Sequence, residues 1–264
     1  FTSTKQSNVC TSKSALYRFL SNEHNNWRKL LLLLSSRVIS KIKSLSDSDR
    51  KLCLVLDDSV LERTKGKEVE LLARIFDHVS HRFVKGFTCL QLGWTDGISY
   101  IPVNSALLSS ANTDNRYCDA TDEIDHRTCG FVRRAEAQIK KTTMAIDLIK
   151  QTLRAGIVAD YVLMDTWFTT EPFIKAITDL GLDVIGMVKQ MKQRYWYNGE
   201  QLNLRKLYQA IPNKRGRDII CSAVVKTKNG IKVRIVFIRN RNARREYLAL
   251  LSTDLDISEE DIVR

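Results

Sequence analysis

The sequence is poor in residues that interrupt regular structure, with 11 Gly and 3 Pro among 264 residues, against average usage of about 7% and 5%. Collagen-like and low-complexity chains are excluded, and regular elements are expected throughout. Histidine is scarce (4), and the six Cys at 10, 53, 89, 118, 129 and 221 contain no C-x-x-C pair. That scatter argues against a zinc site or a disulfide scaffold and fits free thiols in a reducing compartment. Long apolar runs are missing too: the longest aliphatic stretch, Leu30 to Leu34, is far short of the roughly 20 residues of a membrane-spanning helix. No basic–apolar–small leader opens the chain, so a cytoplasmic location is expected. It begins with Phe1 and not Met, as a piece of a longer protein would.

What the chain has in excess is positive charge: 42 Lys+Arg against 30 Asp+Glu, a net of +12. Residues 1–50 hold 9 basic and 3 acidic groups, and residues 51–188 are near balance. Residues 189–253 hold 16 and 3. Two basic blocks around a neutral to acidic stretch suit a polyanionic partner, because each Lys or Arg on a phosphate releases condensed counterions; a merely solvated basic surface is the alternative. Two dense clusters, 214–217 and 239–245, favour nucleic acid. So does the run Arg194-Tyr195-Trp196-Tyr197, where bases could stack among cations.

Periodicity predicts a short capped helix over 11–20 and a second from Trp27 to Leu45, a weak helix-turn-helix signal. Residues 51–58, Lys-Leu-Cys-Leu-Val-Leu-Asp-Asp, look like a strand covered on both faces and ending in two carboxylates. Two strands lie between Val84 and Leu108, parted by Thr95-Asp96-Gly97, and 109–130 reads as a loop. One long helix is expected over 132–154, closed by Gly156. Tyr161 to Met164 is a second buried strand, ending at Asp165; a helix capped by Thr170 and a strand over 183–188 follow. Residues 219–226, 231–238 and 246–253 form a meander turned at Asn229-Gly230. In its middle strand Lys232 and Arg234 alternate with apolar residues. Ser258-Glu259-Glu260-Asp261 starts a last helix.

This order predicts an α/β fold, helices packed on a mixed sheet, with functional groups at the carboxyl ends of strands. Asp57/Asp58 and Asp165 lie at such ends. On neighbouring strands about 4.8 Å apart they can share a divalent ion, and oxygen ligands without His or Cys favour Mg²⁺ or Mn²⁺. Asp57 and Asp58 point to opposite faces, so at most one faces the site. A strand-end Asp is more often a plain loop or cap residue, although Thr170 leaves Asp165 free of capping the next helix.

Three segments, Leu54-Val55-Leu56-Asp57-Asp58-Ser59, Val69 to His78 (Val-Glu-Leu-Leu-Ala-Arg-Ile-Phe-Asp-His) and Tyr161 to Phe168 (Tyr-Val-Leu-Met-Asp-Thr-Trp-Phe), resemble those of bacterial DDE transposases of the insertion-sequence-4 family. The resemblance runs from about Ser12 onward. It implies an RNase H-like mixed sheet with flanking helices, a β-strand-rich insertion, an N-terminal helical segment and two metal ions. It assigns 1–48 to a partial DNA-binding segment, 49–188 to the first part of the catalytic core, 189–254 to the basic insertion, and 255–264 to the start of the helix bearing a third carboxylate. Carried over by motif, the catalytic, metal-holding residues are Asp58, directly before Ser59, and Asp165, with Asp57 as fallback to Asp58. The family's Tyr-x-x-Arg-x-x-x-Glu-x-x-x-x-x-x-Lys pattern does not occur, and neither Glu259 nor Glu260 is assigned its role.

The resemblance therefore implies a DNA transposase cutting at element ends and joining the freed 3′-OH to target DNA, here without its third carboxylate. Double-stranded inverted-repeat ends and target DNA are the expected partners, with a homodimer in the synaptic complex, no membrane, no small-molecule cofactor, and a bacterial nucleoid location. Lys189, Lys192, Arg194, Arg215, Arg217, Arg241, Arg244 and Arg245 are expected to track phosphates. Two rivals stand beside it: a DNA-binding fragment acting as repressor or decoy, and an RNase H-like nuclease without transposition.

Overall fold

A computed structural model describes residues 12–46, 49–212, 218–243 and 246–263. In chain order the elements are α1 (Lys13–Leu20), α2 (Trp27–Lys43), β1 (Cys53–Glu62), β2 (Ala73–Asp77), β3 (Arg82–Thr95), β4 (Tyr100–Leu108), α3 (Cys129–Glu136) and α4 (Lys141–Arg154). There follow β5 (Tyr161–Met164), α5 (Glu171–Thr178), β6 (Asp183–Val188), β7 (Tyr195–Tyr197), β8 (Glu200–Leu202), α6 (Leu204–Ala210), β9 (Ile219–Thr227), β10 (Lys232–Arg239), β11 (Tyr247–Ser252) and α7 (Glu259–Val263). The chain forms two units. One comprises Phe1–Leu31, Ser59–Cys89 and Ala106–Lys140; the larger comprises Leu32–Asp58, Leu90–Ser105 and Lys141–Arg264.

In the larger unit the strands lie in the order β3-β1-β5-β6-β11-β10-β9-β7-β8, with β4 paired to β3. The connection from β3 to β4 spans residues 96–99, too short for anything but an antiparallel hairpin. β1, β5 and β6 run parallel, as their helical crossovers require. A hairpin beside three parallel strands, with helices on the faces, is the mixed RNase H-like arrangement that the sequence predicts. β11 pairs antiparallel with β6, so the inserted strands continue the same sheet.

Leu54, Leu56, Val162 and Val184 are at most 1% exposed and alternate with residues of the other face. On that other face Cys53, Tyr161, Leu163, Ile185 and Val236 gather around Ile257 and Ile262, the last on α7. Each side chain of this size contributes about 1.5–3 kcal/mol on burial, which explains why unbroken apolar runs mark these strands. α5 packs on β6 and α4, with Ile174, Ile177, Leu148 and Ile149 fully buried. At the hairpin, Asp96 accepts the N–H groups of Ile98 and Ser99 and a bond from Arg50 Nη1 at 2.7 Å.

In the smaller unit β2 pairs antiparallel with residues 82–86 of β3. Leu71, Leu72, Phe87 and Ala137 form its core, with Leu61 and Ala120 against them. Arg28 and Glu136 make a largely buried pair at 2.9 Å, and Thr128 caps α3 by accepting the Phe131 N–H. The single helix expected over 132–154 is two helices, α3 and α4. The carbonyl of Ala137 accepts the N–H of Ser109 at 2.7 Å in place of a helical donor, and the chain turns before restarting at Lys141. β2, β7, β8 and α6 were not foreseen.

Candidate active site

β1 and β5 are in register from Cys53 opposite Tyr161 to Leu56 opposite Met164. The next residues, Asp57 and Asp165, therefore leave the paired segment side by side, on strands about 4.8 Å apart. Alternation then sorts the side chains. Cys53, Val55 and Asp57 share a face with Tyr161 and Leu163, the face covered further along by α7; Asp165 follows the last residue of β5. Leu54, Leu56 and Asp58 belong to the opposite face.

Asp57 and Asp165 are both exposed. Asp165 is held by its own turn: Oδ1 accepts the N–H groups of Trp167 (3.0 Å) and Phe168 (3.3 Å), and its carbonyl accepts the Thr169 hydroxyl at 2.7 Å. Phe168 is fully buried and anchors the turn. Gly186 makes room for it, since a Cβ there would collide with Thr169 Oγ1.

Asp58 has a different environment. Both its oxygens accept from Lys141 Nζ at 3.0 Å, and the two side chains are each 18% exposed. The same ammonium lies 3.6 Å from the Trp167 ring centroid and 5.4 Å from that of Phe168, a cation–π arrangement. Sequence reasoning put Asp58 first and Asp57 second; Asp58 is ion-paired with Lys141, whereas Asp57 is exposed. Lys141 was missed, because its place at the start of α4 is visible only once the helix is seen to break.

Among the described residues no group of three or more His, Cys, Asp or Glu converges to hold a metal ion. Two exposed carboxylates still suit Mg²⁺, which commonly takes one or two protein carboxylates and completes its shell with water and substrate phosphate. Glu259 is engaged elsewhere: it accepts from Ser222 Oγ and lies 3.7 Å from Arg234 Nη1.

Lys189, Lys192, Arg194 and Arg241 are exposed on the segments around the inserted strands, Arg241 loosely facing Asp218 at 3.8 Å. Lys189 lines a cavity of about 480 Å³ with Thr166, Met187 and Tyr247, which links the basic block to the residue after Asp165. Arg215, Arg217, Arg244 and Arg245 lie outside the described residues. Lys226 and Lys228, which with Lys232 line a second cavity, were not singled out.

Asp57, within β1, and Asp165, directly after β5, thus lie on neighbouring parallel strands of an RNase H-like sheet, and the family match gives the class, an endonuclease. The chain matches the DDE superfamily endonuclease family over residues 4–206 and belongs to it. Members of that superfamily generally use divalent metal ions, and DNA is the substrate it implies. Among solved structures the chain is similar to the NurA nuclease from Sulfolobus solfataricus, at 10% identity over 96% of this chain and 84% of that one, with a TM-score of 0.34. It is also similar to the Drosophila P element transposase strand transfer complex, at 12% identity over 76% of this chain and 42% of that one, with a TM-score of 0.28. No curated protein matches. Among the described residues no helix is long and apolar enough to cross a membrane.

Proposed function

We propose that this chain is the catalytic part of a bacterial insertion-sequence transposase of the insertion-sequence-4 type, acting as a dimer on the element's ends in the nucleoid. One observation carries the reading: Asp57 and Asp165, both exposed, directly follow the last paired residues of the adjacent parallel strands β1 and β5, in a sheet that the basic insertion extends. Asp57 takes the place first given to Asp58 as metal ligand. Asp57 and Asp165 would hold Mg²⁺ or Mn²⁺, which would supply charge compensation and Lewis-acid polarisation at the scissile phosphate.

The chain's own residues bind and orient. Lys189, beside Thr166, with Lys192, Arg194 and Arg241 and the more distant Arg215, Arg217, Arg244 and Arg245, take phosphates along the end DNA. Lys141 is a positioning residue: pinned by Asp58 under the Trp167 ring, it holds the turn that presents Asp165. The domain division at 48, 188 and 254 belongs to the same reading.

The test is Mg²⁺-dependent cleavage and joining of element-end DNA by the protein carrying this chain. Asp57→Asn and Asp165→Asn should each abolish cleavage, and Asp58→Asn should spare most of it. Full cleavage by Asp165→Asn sinks the metal site; loss in Asp58→Asn alone returns the role to Asp58. Cleavage without joining leaves a nuclease.

The engagement of Glu259 by Arg234 and Ser222 favours a second reading, in which these 264 residues bind element ends as a repressor or decoy without cutting. It expects salt-sensitive binding and no Mg²⁺-dependent nicking.

A further inference from the structure

The solvent face of the inserted sheet carries a row of side chains that the strand-end site does not use. β8 and β7 pair Gln201 with Trp196, β7 and β9 pair Trp196 with Lys226, and β9 and β10 pair Lys226 with Lys232. Residues directly opposite one another share a face, so these four form one line across four strands. The reverse face is core: Tyr195, Val225, Thr227 and Val233 are at most 2% exposed. On the outer face Trp196 is 44% exposed and Val224, one row along, 47%. With Lys228 at the turn they line a groove of about 550 Å³.

Two features of this groove point to a ligand. Lys226 and Lys232 are like charges directly opposite, an arrangement that disfavours the sheet unless an anion intervenes. None of Lys226, Lys228 and Lys232 has a carboxylate within ion-pair distance among the described residues. The exposed indole face adds a second requirement. A duplex offers phosphates but keeps its base faces stacked, whereas an unpaired base can lie on an aromatic ring while its phosphates meet nearby cations.

We propose that this row is a docking track for single-stranded DNA, with one unpaired base on Trp196 and the adjoining phosphates on Lys226, Lys228 and Lys232. The track is fixed relative to the carboxylate turn. Glu171, which opens α5 six residues after Asp165, accepts from Thr227 Oγ1 and from the N–H of Asn229 at 2.7 Å. Thr227 Oγ1 in turn accepts the N–H of Ile231 at 3.1 Å, closing the turn that bears Lys228. The proposal rests on the reading of this chain as acting on DNA, and it names the form of DNA that the inserted sheet takes.

The experiment measures binding of a short fluorescein-labelled oligothymidylate to the full chain in EDTA by anisotropy, beside a duplex of the same length. Trp196→Ala should weaken the single strand about 5- to 150-fold, the range of one lost base stack, and Trp196→Phe should restore much of it. The double change Lys226→Ala and Lys232→Ala should flatten the slope of log affinity against log salt by about 1.4, two single-strand phosphate contacts. Duplex affinity should barely move, with melting temperatures confirming that the variants fold. Unchanged oligothymidylate binding in Trp196→Ala overturns the proposal. Equal losses on duplex, or polyglutamate binding as tightly as oligothymidylate, overturn it as well. Because EDTA removes any role of the carboxylates, lost cleavage with intact oligothymidylate binding counts against the metal site alone.

Discussion

The stretch where β1 passes the end of β5 and the outer row of β9 and β10 are mirror images in charge. Asp57 and Asp165 bring two carboxylates to neighbouring strands, each directly after the last paired residue; Lys226 and Lys232 bring two ammonium groups to opposed strand positions. Neither pair has a counter-ion among the described residues. One residue from Asp57, Asp58 is neutralised by Lys141, and at the hairpin Asp96 is neutralised by Arg50. The chain can thus supply a counter-charge where structure needs one. Where like charges stand close together in the open, the readings proposed above bring the opposite charge from outside, a cation for the first pair and a phosphate for the second.

The largest expected effect separates the two adjacent aspartates. Asp57→Asn or Asp165→Asn should lower Mg²⁺-dependent cleavage by about 100-fold or more, since a metal contributes several kcal/mol to the transition state. Both should leave the melting temperature nearly unchanged. Lys141→Ala should show the reverse. It leaves the Asp58 carboxylate partly buried and unpaired, at about 1–3 kcal/mol, or about 2–4 °C in Tm for each kcal/mol. Asp58→Asn, which can still accept one bond from Lys141, should cost less. If Asp58→Asn abolishes cleavage without changing Tm, the contrast between the two aspartates collapses.

A smaller effect appears in acid. Burial pushes the Asp96 carboxyl up, but the Ser99 and Ile98 N–H groups and the Arg50 guanidinium outweigh it and hold it below its ordinary 3.8. A folded value below the unfolded one stabilises above the unfolded pKa and is lost as pH falls through the folded value. Stability should therefore decline from pH 3.8 downward, and Asp96→Asn should flatten that limb of a urea-midpoint profile. The smallest effect concerns Cys53, whose thiol burial pushes up to about 11. It should alkylate slowly at neutral pH, at a rate reporting how often the cluster beneath α7 opens.

β5, β6 and the first part of β1 were legible because a strand covered on both faces must be largely apolar, and Asp57 and Asp165 stood out as the first charges after two of those runs. That Asp58 meets Lys141 was not. Alternation says only that Asp57 and Asp58 diverge, and the partner of each depends on residues far along the chain. Lys141 was hidden by a helix break that hangs on Ser109. β7 and β8 span three residues each, too few for a period, and so the line from Trp196 to Lys232 exists only in the register. The alternation of Lys232 and Arg234 with apolar neighbours, and the aromatic run Tyr195-Trp196-Tyr197 beside cations, were the hints of it.

The pairing of β11 with β6 also bears on how the protein is made. When residues 183–188 leave the ribosome, one hydrogen-bonding edge of β6 is bare until residue 252 follows. At about 5–20 residues per second, that wait is roughly 3 to 13 seconds. An open apolar edge of this kind invites pairing with other nascent chains. The stretch synthesised during the wait holds 16 Lys+Arg against 3 Asp+Glu, so copies of it repel one another while the edge is unguarded. The charge that suits the finished protein to DNA also serves, before folding is complete, as a gatekeeper against aggregation.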